Sequence, residues 1–208
     1  LCPGTWTWNN FCERLSISVP NICKMAEYGY KYGAYGLLIT NWGDFNNICS
    51  LELSSYGLML GAEKSWNPNI EISEQFDEKV DFLLCDGKGC LDYIKRLSAI
   101  QEGISWFDFC CFYSEVKKLN IINQRFKLKE GFILEKQSLY REFINDLSKT
   151  NWDNYDFKQE LIVSAQGMML ILDFNIKQFN LDIPKLINAQ EWYNCYSKLW
   201  LKKNKPSE

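Results

Sequence analysis

The chain has 208 residues, with 23 Lys and Arg against 26 Asp and Glu, a formal net charge of −3, and 47% apolar against 24% charged residues. This is the balance of a globular chain that buries about 70% of its unfolded surface without staples, and its mild acidity excludes an electrostatic grip on nucleic acid or an anionic membrane. Histidine is absent, which removes Ser-His-Asp and Cys-His catalysis, His-ligated zinc and an imidazole pH switch.

In chain order, Leu1-Cys2-Pro3-Gly4 reads as the end of a strand running into a loop. The loop Thr5-Trp6-Thr7-Trp8-Asn9-Asn10 follows, with its two tryptophans two apart and so on one side of an extended segment. Asn10 is a candidate cap for the next helix. Pro20 is predicted to open that helix, with Ile22, Met25 and Ala26 as its buried stripe and Gly29 and Gly33 punctuating its end. Tyr35-Gly36-Leu37-Leu38-Ile39-Thr40 is a short apolar run between turn residues, the pattern of a fully buried parallel strand. Ser54 or Ser55 can cap a helix carrying Leu58, Met59 and Ala62, in which Gly57 and Gly61 leave room for close packing against a sheet. Asn67-Pro68-Asn69 stops it, and a domain boundary is placed there, giving 1–68 and 69–208.

The second segment reads as all-helical. Phe76, Val80, Leu83 and Leu84 share one helical face, and Leu91, Ile94, Leu97 and Ile100 form the next. Further helices are predicted over Trp106–Leu119, over Leu134–Leu147, from a cap at Asp153 through the stripe Leu161, Ala165, Met168, Met169 and Leu172, and around Trp192, Tyr196, Leu199 and Trp200. Leu161 to Phe174 is too short and polar to span a bilayer. The nine cysteines contain no C-x-x-C. Cys85 and Cys90 bracket Asp86-Gly87-Lys88-Gly89, a spacing that suits a bridge, a metal or simply a turn with two thiols beside it. The odd count, with no visible signal segment, favours a reducing, cytoplasmic setting.

The string Leu37-Leu38-Ile39-Thr40-Asn41-Trp42-Gly43-Asp44 ends a predicted buried strand with a Trp and an Asp, where α/β folds place ligands. An indole covers the apolar face of a pyranose, and a carboxylate accepts from its hydroxyls. The alternative is that Trp42 is core and Asp44 caps a turn. Likewise, of Trp6 and Trp8 one can face a pocket while the other packs.

Cys2-Pro3-Gly4-Thr5-Trp6-Thr7-Trp8-Asn9, then Tyr35 through Asp44, then Tyr56-Gly57 through Gly61-Ala62 to Ser65-Trp66-Asn67, resemble the end of the catalytic barrel of glycoside hydrolase family 20, the β-N-acetylhexosaminidases. Leu199 to Ser207 is similar to the end of the helical domain that follows the barrel in one branch. The resemblance implies an α/β-then-all-α chain: the last strands and helices of a (β/α)8 barrel over 1–68, with the rest of the barrel upstream, and a helical domain over 69–208. It implies that Trp8 and Trp42 wall the pocket for a terminal N-acetylhexosamine, that Asp44 binds sugar hydroxyls, and that no metal or cofactor takes part. The family's catalytic Asp-Glu pair would lie upstream, so no residue of this chain is assigned a catalytic role. Asp77-Glu78, the adjacent pair present, reads as two solvated carboxylates. Asn41 departs from the branch, which has Asp there, and Phe45-Asn46-Asn47 stands where the branch has a histidine. The rival expectation is a non-catalytic helical module that binds carbohydrate or protein.

Overall fold

A computed structural model describes residues 1–8, 10–43, 48–113, 126–152 and 155–203. Among them are eight α-helices: α1 (Leu15–Lys31), α2 (Ser55–Trp66), α3 (Glu74–Cys85), α4 (Cys90–Gln101), α5 (Trp106–Tyr113), α6 (Glu130–Ser148), α7 (Tyr155–Gln178) and α8 (Ala189–Lys203). A 3-10 turn, Leu51–Ser54, leads into α2.

This corrects the α/β expectation for the amino-terminal third. No strand forms among the described residues, so the last strands of a (β/α)8 barrel are not there. The two segments predicted as strands meet at one parallel bridge, Gly4 with Thr40. Its backbone bonds run from Leu38 N to Leu1 O (2.9 Å), Thr40 N to Pro3 O (2.8 Å) and Thr5 N to Thr40 O (3.0 Å). The run that reads as a buried strand is not buried: Tyr35 is fully exposed and Leu38 is 64% exposed, while Leu37, Ile39 and Thr40 are half-buried. An apolar run reports hydrophobicity, but a strand also needs neighbours, and two short segments alone do not make a stable sheet.

The chain forms two compact units, Leu1–Glu102 and Gly103–Glu208. The boundary placed at Pro68 falls within the first, because residues beyond it are tied to the amino-terminal loop. The Gln101 amide accepts from Cys12 N (3.1 Å) and donates to Cys12 O (2.6 Å) and Glu13 O (3.1 Å), and Arg14 pairs with Glu102 at 2.7 Å.

In the first unit α1 starts at Leu15, five residues before Pro20. The proline therefore lies inside the helix. The start is set from afar: Ser98 Oγ, on α4, accepts from Leu15 N at 3.0 Å and satisfies one of the amides a helix start leaves open. Asn10 instead donates to Trp6 O at 3.1 Å. On α2 the buried stripe is Tyr56, Gly57, Leu60, Gly61 and Lys64 rather than Leu58, Met59 and Ala62. The glycine face turns inward because bulk approaches it from outside the helix. A Cβ on Gly57 would stand 2.0 Å from Glu13 Oε1, and one on Gly61 would stand 2.1 Å from Ile39 Cγ1. On α3, Phe76, Val80 and Cys85 are buried while Leu83 is 68% exposed.

In the second unit α7 is the axis, and α5, α6 and α8 pack on it. Its predicted stripe of Leu161, Ala165, Met168, Met169 and Leu172 is buried. Trp192 fixes α8 through Nε1, which donates to Val163 O at 2.9 Å. Asp173 accepts from Leu186 N (2.9 Å) and Ile187 N (2.7 Å), pinning the segment before α8. Asp153, the predicted cap, and the end of the helix predicted to Leu119 lie outside the described residues. No described helix is long and apolar enough to cross a membrane.

Candidate functional site

The bridge between Gly4 and Thr40 aligns two loops at one end of the extended pair: Thr5–Trp8 after the first segment, and Asn41–Gly43 after the second. A parallel pairing has this consequence by direction alone, since both chains leave the bridge the same way. Asn41 ties the two loops together. Its Oδ1 accepts from Thr5 Oγ1 at 3.0 Å and from Thr7 Oγ1, and its Nδ2 donates to Ser54 Oγ at 3.0 Å, at the foot of α2. Ser54 in turn donates to Leu51 O at 2.7 Å. Thr5 and Thr7 are fully buried. The amide therefore joins three segments, using both its acceptor and its donor, and a carboxylate at this position has no donor for Ser54.

Of the predicted site residues, Trp8 is half-buried. Its indole packs against Trp6 at a tilt of 39° with ring centroids 4.8 Å apart, and its ring edge lies 2.8 Å from where a Gly4 Cβ would stand. Trp6 holds a left-handed backbone, φ 57°, and the Asn10 side chain grips its carbonyl. Trp42 is 57% exposed. It is not a core residue. Asp44 lies outside the described residues. The structure thus brings the Trp8 and Trp42 loops together through Asn41.

Asp77 is more than a solvated carboxylate. It accepts from Tyr56 Oη at 3.0 Å and from Lys95 Nζ, whose ammonium also sits over the Tyr56 ring, 5.5 Å from its centroid. Burial, and then the bond to Asp77, push the Tyr56 phenol well above its ordinary range. Glu78 is exposed. The reading of two solvated carboxylates therefore holds for Glu78 and not for Asp77.

Sequence reasoning missed Glu13. Its side chain is fully buried, and Oε2 accepts from Gly57 N at 2.9 Å. Burial pushes its carboxyl up to about 8, against the Ser18 hydroxyl and then the Gly57 N–H, which favour the charged form. No local pattern marks a glutamate between Cys12 and Arg14 as buried; the Gly57 spacing on α2 is the trace it leaves. Cys12, next to it and also buried, has its thiol pushed up by desolvation and then by the nearby Cys49. Comparison of the chain with family models, curated proteins and solved structures finds no match.

Proposed function

We propose that the amino-terminal loops form an aromatic carbohydrate-binding surface, in which Trp42 and Trp8 contact a terminal N-acetylhexosamine and Asp44 accepts from its hydroxyls. The chain contributes that wall to a β-N-acetylhexosaminidase-like glycoside hydrolase, whose acid pair belongs to another part of the enzyme. The observation that carries this reading is the Asn41 tie, which holds the Trp42 loop beside the Trp6–Trp8 indole pair while Trp42 stays 57% exposed. An exposed indole on a loop tied to a second tryptophan-bearing loop suits the apolar face of a pyranose. The second reading, a non-catalytic helical interaction module, is favoured by the all-helical second unit, on whose last helix Tyr193 and Leu201 are 59% and 56% exposed.

Titration of the full chain with N-acetylglucosamine and its β-linked dimer, followed by tryptophan fluorescence, tests the proposal. Binding should be lost in Trp42→Ala and kept in Trp66→Ala, a tryptophan of the same unit that is 93% exposed. Equal binding by both variants, or none by the native chain, overturns the sugar site and leaves the helical module.

A further inference from the structure

Cys85 and Cys90 are bonded to each other, with α-carbons 6.3 Å apart. Cys85 is the last residue of α3 and Cys90 the first of α4. Asp81 stands one helical turn before Cys85, and its Oδ1 lies 3.5 Å from Cys85 Sγ. The two sulfurs and a carboxylate oxygen of Asp81 all lie within 4.8 Å of one another, and among the described residues this is the only such group of three. A tetrahedral zinc ion, with sulfur at about 2.3 Å and oxygen at about 2.0–2.2 Å, holds neighbouring ligand atoms about 3.5–3.8 Å apart. The 3.5 Å between Asp81 Oδ1 and Cys85 Sγ already matches that spacing.

The surroundings hold these atoms in place. Asp81 Oδ2 accepts from Gly89 N and Oδ1 from Leu91 N, both at 2.7 Å, and Cys90 N donates to Cys85 Sγ at 3.3 Å. Each carboxylate oxygen keeps a second lone pair for a cation. The connecting loop turns sharply through left-handed Asp86, Gly87 and Gly89, with φ of 55°, 73° and 80°, so its amides converge on the carboxylate. Cys90 is fully buried and Cys85 is 9% exposed. Two buried thiolates beside a half-buried carboxylate repel one another, and a divalent cation removes that repulsion. A cleft of about 330 Å³ bordered by Asp81, Gly87 and Gly89 opens beside the carboxylate.

We propose that the reduced chain binds one soft divalent cation of the zinc class through Asp81, Cys85 and Cys90, the disulfide being the oxidised form in which the site is closed. A dithiol or phosphine reductant supplies two electrons and, with solvent, two protons. The sulfur–sulfur bond breaks to two thiols, and the reductant leaves oxidised. The cation then takes both sulfurs as thiolates, and the two thiol protons pass to water.

Cobalt(II) and zinc(II) titrations of the full chain test this. The phosphine-reduced protein should take up one cobalt ion, with a thiolate-to-cobalt charge-transfer band that zinc bleaches. The oxidised chain still carries its other seven thiols but should show no band, a control that needs no mutation. Cys85→Ser should lose the band. Asp81→Asn, which keeps both sulfurs, should retain it with zinc affinity weakened roughly tenfold or more in competition with a chromophoric chelator. No band in the reduced chain, or one of equal strength in the oxidised chain, overturns the site and assigns any bound metal to the other thiols. Unchanged affinity in Asp81→Asn removes the carboxylate from it.

Discussion

In the first unit the bonds that organise the chain are polar, reach far along the sequence and mostly end on backbone groups: Glu13 on Gly57, Gln101 on Cys12 and Glu13, Ser98 on Leu15, Asn41 on two threonines and a serine. In the second unit a single helix, α7, is buried over most of its length on an apolar stripe, and the polar contacts of Asp173, Asn175 and Trp192 fasten neighbours to it. The first unit also leaves Tyr30, Tyr32, Tyr35 and Leu38 each more than 60% exposed. An apolar stripe tolerates repacking of similar volume. A buried polar bond does not, because a group left without its partner keeps the whole desolvation cost. The first unit should therefore fail through single atoms and the second through lost volume.

The largest effect is expected at Gly57. A methyl placed 2.0 Å from Glu13 Oε1 must evict a buried carboxyl from its bond to Gly57 N, and Gly57→Ala should cost about 3–5 kcal/mol. Calorimetry should show this loss in one unit's transition and leave the other in place; a change below 1 kcal/mol, roughly the value of one ordinary hydrogen bond, would show that the carboxyl is free to move. Next is Leu172→Ala, fully buried on α7, with an expected loss of about 2–5 kcal/mol by cavity formation. Leu172→Met should cost less than about 1.5 kcal/mol. If both cost the same, α7 is not a volume-controlled core.

The pH dependence separates the units further. Glu13 has a folded pKa of about 8 against an ordinary 4.5. Between those values the folded state holds a proton that the unfolded state has released, so stability falls as pH rises from about 4.5 to about 8 and is level beyond. The drop amounts to a few kcal/mol. Glu13→Gln should flatten it, matching the native melting temperature at pH 5 and exceeding it at pH 8. A native-like slope in that variant would move the titration elsewhere, with Asp173, whose carboxyl burial also raises, as the next group to test. The smallest effect belongs to Trp42→Ala, which should shift stability by no more than about 0.5 kcal/mol because the side chain is largely exposed. A larger loss would make Trp42 structural and weaken the sugar reading.

The helices of the second unit were legible in the residues alone, because the Leu161, Ala165, Met168, Met169 and Leu172 spacing leaves one solution: a helix buried on that face. Trp42 and Trp8 were marked as well, since tryptophans beside turn residues stand out in composition. Which face of α2 turns inward was not legible. Leu58, Met59 and Ala62 outweigh two glycines on any hydrophobicity count, but the glycines admit Glu13 and Ile39 and so take the buried side. Nor was the start of α1, whose amide is satisfied by Ser98, 83 residues away. The apolar run Tyr35–Thr40 carried the signal of a strand, yet strand formation depends on neighbours, and only one bridge supplies them. The burial of Glu13, the Asn41 junction and the meeting of Asp81 with Cys85 and Cys90 were likewise left to the tertiary structure. Periodicity is a property of one segment, whereas a close approach or a buried hydrogen bond belongs to two segments and exists only once they meet.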